Sequence, residues 1–71
     1  EQKAPFISVA SFETLEYTQE VLDQFTCPKG CIIVRSEKGL YYRIGFYTDP
    51  KNIAVDLREI RKKYSDAWLV N

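Results

Sequence analysis

The side chains in this 71-residue chain with the clearest chemical potential are Tyr41, Arg43 and Trp68, joined by the hydroxyls of Ser8 and Ser11. Aromatic rings stack on flat or weakly polar ligands, while a guanidinium and two hydroxyls supply hydrogen bonds. Together they describe a recognition surface rather than a reaction centre. The chain has no histidine, no P-loop, no nucleophile elbow and no carboxylate pair held by spacing in one cleft, so an enzymatic role is not expected. No cofactor is expected either. Asp49 reads as a helix cap and Glu37 as a turn residue.

Cys27 and Cys31 enclose Pro28-Lys29-Gly30, a sequence that bends tightly enough to bring two thiols together. A bridge there implies an oxidising compartment. The alternative is a pair of free thiols in a reducing one, with Cys31 acting as a small strand residue. A zinc site is disfavoured, because there is no histidine and no second cysteine pair.

The elements that must carry these residues follow from a duplication at an offset of 35 residues. Ser8-Val9-Ala10-Ser11-Phe12 aligns with Arg43-Ile44-Gly45-Phe46-Tyr47, Leu22 with Leu57, Phe25 with Ile60, and Ile32-Ile33-Val34 with Ala67-Trp68-Leu69. Each half reads as strand, helix, strand, and half the chain is too short to bury a core of its own. The expected fold class is therefore α+β: a single βαββαβ domain of ferredoxin-like type, with a four-stranded antiparallel sheet and two helices on one face.

Phe6 to Ala10 alternates as a first strand, and Thr14 is the expected N-cap of a helix from about Leu15 to Phe25. Cys31 to Arg35 and Leu40 to Tyr47 are the next strands, joined by the polar turn Ser36-Glu37-Lys38-Gly39. Asp49 followed by Pro50 marks the start of a second helix that runs to about Lys63 and buries Ile53, Leu57, Ile60 and Tyr64. Ala67 to Val70 completes the sheet. Strict alternation puts Ser8, Ala10, Tyr41, Arg43 and Gly45 on the face that no helix covers, joined by Ile33 and Trp68 if the outer strands share that parity.

Total charge is zero and the sequence pI is about 6.5, which gives no electrostatic reason to expect a polyanionic partner. Residues 1–26 carry a net charge of minus four and the remainder plus four, and this asymmetry reads as solvation of two helices. The same topology occurs in RNA-recognition modules, and Lys38-Gly39-Leu40-Tyr41-Tyr42 resembles the start of their third-strand motif. Tyr42 falls on the face shared with Ile44, however, and Gly45 lacks the aromatic such modules require, so nucleic acid is not an expected partner. No apolar run approaches the ~20 residues of a membrane span, and no direct membrane insertion by this segment is expected.

The order and spacing of three short motifs resemble a SPOR domain, the peptidoglycan-binding module of bacterial cell-division and cell-wall proteins. Ile7-Ser8-Val9-Ala10-Ser11-Phe12 is similar to the family's opening strand, Arg43-Ile44-Gly45-Phe46-Tyr47-Thr48-Asp49 to its third strand and helix start, and Ser65-Asp66-Ala67-Trp68-Leu69-Val70 to its last strand. The resemblance covers nearly all of Phe6 to Val70. It implies recognition of glycan strands stripped of stem peptides, with Ser8, Ser11, Tyr41 and Trp68 at ligand-facing positions, beside Arg43, which alternation places on the same face. It also implies a periplasmic or otherwise extracytoplasmic place in the cell envelope.

Ser8 stands where the family has glutamine, Ala10 where it has glycine and Phe46 where it has proline. These departures raise an alternative: an assembly module that keeps the fold and binds envelope or divisome proteins instead of glycan. Residues 1–5 read as a linker or tail and 6–71 as the domain, and the Glu1 start reads as the cut end of a longer protein.

Overall fold

A computed structural model describes residues 4–70; residues 1–3 of the expected tail, and Asn71 at the end of the expected domain, lie outside the described residues. Four strands, β1 (Phe6–Phe12), β2 (Ile32–Arg35), β3 (Tyr42–Tyr47) and β4 (Trp68–Val70), form one antiparallel sheet in the order β2-β3-β1-β4. Helices α1 (Leu15–Val21) and α2 (Ile53–Arg61) occupy the two connections that link β1 to β2 and β3 to β4. This is the expected α+β arrangement.

Local chemistry starts both helices. Thr14 has extended backbone and its hydroxyl accepts from the Tyr17 N–H at 3.3 Å, satisfying one of the donors that a helix start leaves free. The α-helix is shorter than its sequence period implies, because the segment Leu22–Gln24 tightens into a 3-10 turn before the chain extends at Phe25. At the second start Asp49 accepts from the Lys51 N–H at 2.9 Å, and Pro50 opens a 3-10 turn over Pro50–Asn52 that leads into α2. Pro50 costs this turn nothing, since its missing N–H would have had no intrahelical acceptor.

The cysteine segment folds as a turn in which the Gly30 N–H reaches the Cys27 carbonyl at 3.0 Å, with Pro28 next in line and Gly30 at φ +88°. Cys27 and Cys31 are joined in a disulfide, Cα atoms 5.1 Å apart. The β2–β3 connection is organised by Ser36: its hydroxyl accepts from the N–H groups of Leu40 and Tyr41 at 3.2 Å, and its own N–H donates to the Tyr41 carbonyl. Gly39, at φ +69°, closes that turn. A Cβ there would stand 2.7 Å from Arg35 Nη2.

The core lies between the sheet and the helices. Ile7 and Ile44 are completely buried, packed with Val9, Phe46, Val21, Cys27, Ile60 and Ala67. Leu22, Phe25, Leu57 and Tyr64 close it from the helix side. Tyr64 also accepts from the Thr26 N–H at 2.8 Å, and Arg61 Nε donates to the Ala67 carbonyl at 2.9 Å, so the end of α2 is tied to both chain segments beside it. Ile53, expected in this core, is half-buried outside it and lines a groove on the other side of the molecule. Ile53 is the first residue of α2, so it lies at the end of the helix nearest the groove, a full turn before Leu57 reaches the core.

Candidate functional site

The strand register settles which side chains share the face opposite the helices. Across β1 and β3, Phe6 pairs with Tyr47, Ile7 with Phe46 and Ser8 with Gly45; after that point Ala10 pairs with Ile44, Ser11 with Arg43 and Phe12 with Tyr42. One extra residue, Val9, is therefore accommodated in β1 as a bulge. Side chains directly across a ladder point the same way, so the bulge changes the parity of everything after it. Ser8 and Ser11 both face away from the helices, three positions apart, and Ala10 turns to the core side beside Ile44. The expectation that Ala10 lies on the open face is corrected by this single inserted residue.

A second correction concerns β2. Ile33 pairs with Ile44 and packs toward the core, leaving Ile32 and Val34 on the open face with their partners Gly45 and Arg43. Trp68 pairs with Ser8 and does face outward, with Val70 beside Phe6. The duplicated halves are thus out of phase by one residue in their last strands. Ile33 and Trp68 align in sequence and point to opposite sides.

Phe6 is buried to 4% exposure although it belongs to the face without helices and lies outside the main core cluster. Its ring lies close to Gly45: a Cβ on that glycine would stand 2.9 Å from Phe6 Cε2 and 1.9 Å from the Ile7 carbonyl oxygen. Tyr47 meets the same ring edge-on at 5.1 Å between centroids. This packing seals the Phe6–Tyr47 end of the face. Ser8 has no exposed surface, and its hydroxyl donates to the Ala10 carbonyl at 3.1 Å, which closes the bulge. Ser8 is thereby withdrawn from the ligand-facing set: its donor is already used and no ligand can touch it.

An open groove of about 470 Å³ runs over this face, bounded by Phe6, Val34, Arg43, Tyr47, Ile53 and Val70. Arg43 sits at its polar end and also lines a smaller hollow with Tyr41, Leu40 and the turn residues Glu37 and Lys38. The Arg43 Nε is buried without a hydrogen-bond partner among the described residues. An N–H left in that state costs roughly 1–3 kcal/mol, an expense that a packed interior normally avoids. Within the described residues the one ion pair is Lys62 with Glu59 on α2, at 3.0 Å, so the Arg43 charge has no carboxylate neutralising it.

The structure brings Arg43, Ser11 and Tyr41 together at the hairpin end of the face: Ser11 lies directly across from Arg43, and Tyr41 is 45% exposed beside it. It does not bring Tyr41 to Trp68. From the register, these rings are two strands and four residues apart, roughly 15 Å by ordinary sheet spacing, so they cannot hold one ring between them. A ligand touching both must be an extended chain. Tyr47 was missed on this face, although it follows from carrying the alternation of Tyr41, Arg43 and Gly45 one step further. Phe6 follows in the same way from Ser8. Val34 carried no such signal, because the parity of β2 depends on its pairing.

Among the described residues no three His, Cys, Asp or Glu side chains gather as a metal-ligand set, and no helix is long and apolar enough to cross a membrane. The disulfide fits an oxidising, extracytoplasmic setting. Comparison with known family models, with curated proteins and with solved structures finds no match to this chain, so the meaning of the site rests on its own geometry.

Proposed function

We propose that this domain is a non-catalytic module that binds peptidoglycan glycan strands and localises a larger protein in the bacterial cell envelope, in the periplasm or its equivalent. The observation that carries this reading is the uncovered sheet face. Its aromatic and cationic side chains are spread across an open face instead of being concentrated in a closed pocket: Arg43 and Tyr47 line the groove, Tyr41 the adjoining hollow, and Trp68 lies outside both. A linear polymer of sugar rings fits that layout: flat ring faces against Trp68 and Tyr41, with Arg43 and Ser11 hydrogen-bonding between them. The resemblance of the three strand motifs to SPOR domains supports the same ligand. An open site of this kind binds weakly, with a Kd of about micromolar at best.

Co-sedimentation with purified sacculi tests the proposal, comparing sacculi treated with an amidase to expose bare glycan against untreated ones. The expected result is enrichment on treated sacculi, lost in a folded Trp68→Ala variant. Failure to sediment with either preparation removes the glycan reading.

One observation favours the assembly alternative. β2 is an edge strand of four residues with Ile32 exposed at 44%, which leaves backbone donors and an apolar side chain free for another chain. A concentration-dependent dimer or a captured envelope partner that protects β2 amides, with no sacculus binding, supports that reading.

A further inference from the structure

The proposed glycan reading leaves open which chemical group on the polymer is recognised, and Arg43 supplies an answer. Its side chain, half-buried, emerges near the start of β3, with Val34 on one side and Ser11 on the other across the ladders. Its Nε has lost water and gained no partner, and no carboxylate lies within ion-pairing distance among the described residues. Glu37 lines both hollows that converge on Arg43, but it is exposed and is not paired with the guanidinium. Apart from Arg35 and Glu37 at the rim, the groove walls beyond Arg43 are apolar or aromatic: Phe6, Val34, Tyr47, Ile53 and Val70. An unneutralised, half-buried guanidinium in such surroundings, with the exposed Arg35 adding positive charge at the rim, is a receptor for a planar anion, since partial exclusion of water strengthens its charge-assisted hydrogen bonds.

We infer that Arg43 reads a carboxylate carried on the glycan, so that the groove distinguishes an acidic sugar chain from a neutral one. This rests on the glycan reading of the same face. Arg43 donates to the carboxylate through its terminal Nη groups, the buried Nε being out of reach, and Ser11 across the ladder adds a hydroxyl donor. The aromatic residues hold the sugar rings whatever their charge. Selectivity then resides in Arg43, and most of the remaining contact area is indifferent to it.

The test is an NMR titration of the 71-residue domain with three probes. The first is a peptide-free oligosaccharide of alternating N-acetylglucosamine and N-acetylmuramic acid. The second is the same oligosaccharide with its carboxylates converted to primary amides, and the third is chitotetraose, which is neutral throughout. The acidic probe is expected to bind about tenfold or more tightly than its amide, with shifts centred on Ser11, Tyr41 and Arg43 and a difference that shrinks at high salt. Arg43→Gln is expected to equalise the two, and Arg43→Lys to retain part of the preference, with amide spectra reporting that both variants are folded. Equal binding of acid and amide by the unaltered domain overturns the carboxylate inference and leaves the glycan reading standing. Binding of none of the three probes overturns both.

Discussion

The helix-covered face of the sheet and its open face are made by the same four strands, yet they bury their side chains by different means. On the covered side, Ile7, Ile44 and Phe46 are buried under Val21, Leu22, Leu57 and Ile60, and burial comes from a second layer. On the open side there is no second layer. Phe6 nevertheless reaches 4% exposure by lying on Gly45 against Tyr47, and Ser8, two residues on, has no exposed surface. The covered face is apolar throughout its centre. The open face keeps Arg43 half-exposed with one N–H unsatisfied. Thus the open face divides in two: a sealed end that supports the fold, and a hairpin end with Arg43, Ser11 and Tyr41 available for a ligand.

Substitutions on the two sides separate these roles. The largest expected effect is from Gly45→Ala, whose Cβ would meet the Ile7 backbone; the strands must part, at a cost of about 3 kcal/mol or more, measurable by urea denaturation. If Gly45→Ala is tolerated, the packing of Phe6 on Gly45 is not what seals the open face. Ile44→Ala on the covered side removes a fully buried side chain and is expected to lower stability by roughly 2–5 kcal/mol with little local relaxation.

Replacing Cys27 and Cys31 with serine opens a loop of only five residues, for an expected loss of about 2 kcal/mol by chain entropy, read from the shift in thermal midpoint. Thr14→Ala and Asp49→Ala each remove a side-chain cap and are expected to cost about 1 kcal/mol. Trp68→Ala sharpens the contrast most. Trp68 lies outside the core cluster, so its loss is expected to change stability by no more than about 1 kcal/mol while abolishing sacculus binding. A loss of several kcal/mol instead would make Trp68 a second structural aromatic like Phe6.

Much of the fold was legible because its signals are local. Thr14 and Asp49-Pro50 mark their helix starts through hydrogen bonds to residues two or three positions away, and Pro28-Lys29-Gly30 bends within a single turn. The site was less legible. Arg43 falls on the open face as alternation predicts, and Trp68 on the side the resemblance implies; Ser11, which alternation from Ser8 puts on the other side, faces outward only through the bulge, Ser8 is spent on that bulge, and Ala10 and Ile33 face the core. The differences at Ser11, Ala10 and Ile33 are ones of parity and that at Ser8 is one of burial, and neither is a local property.

The sequence by itself determined the order of elements, the helix caps, the turn chemistry and the nearness of the two cysteines, since each depends on neighbours a few residues apart. Tertiary structure alone decided which face each strand residue occupies. The bulge at Val9 exists only in the pairing of β1 with β3, and the parity of β2 exists only once it has a partner. Because side chains alternate with a period of two, a shift of one residue moves a whole strand's chemistry to the other side of the sheet. That shift decides whether a serine meets a ligand or a carbonyl.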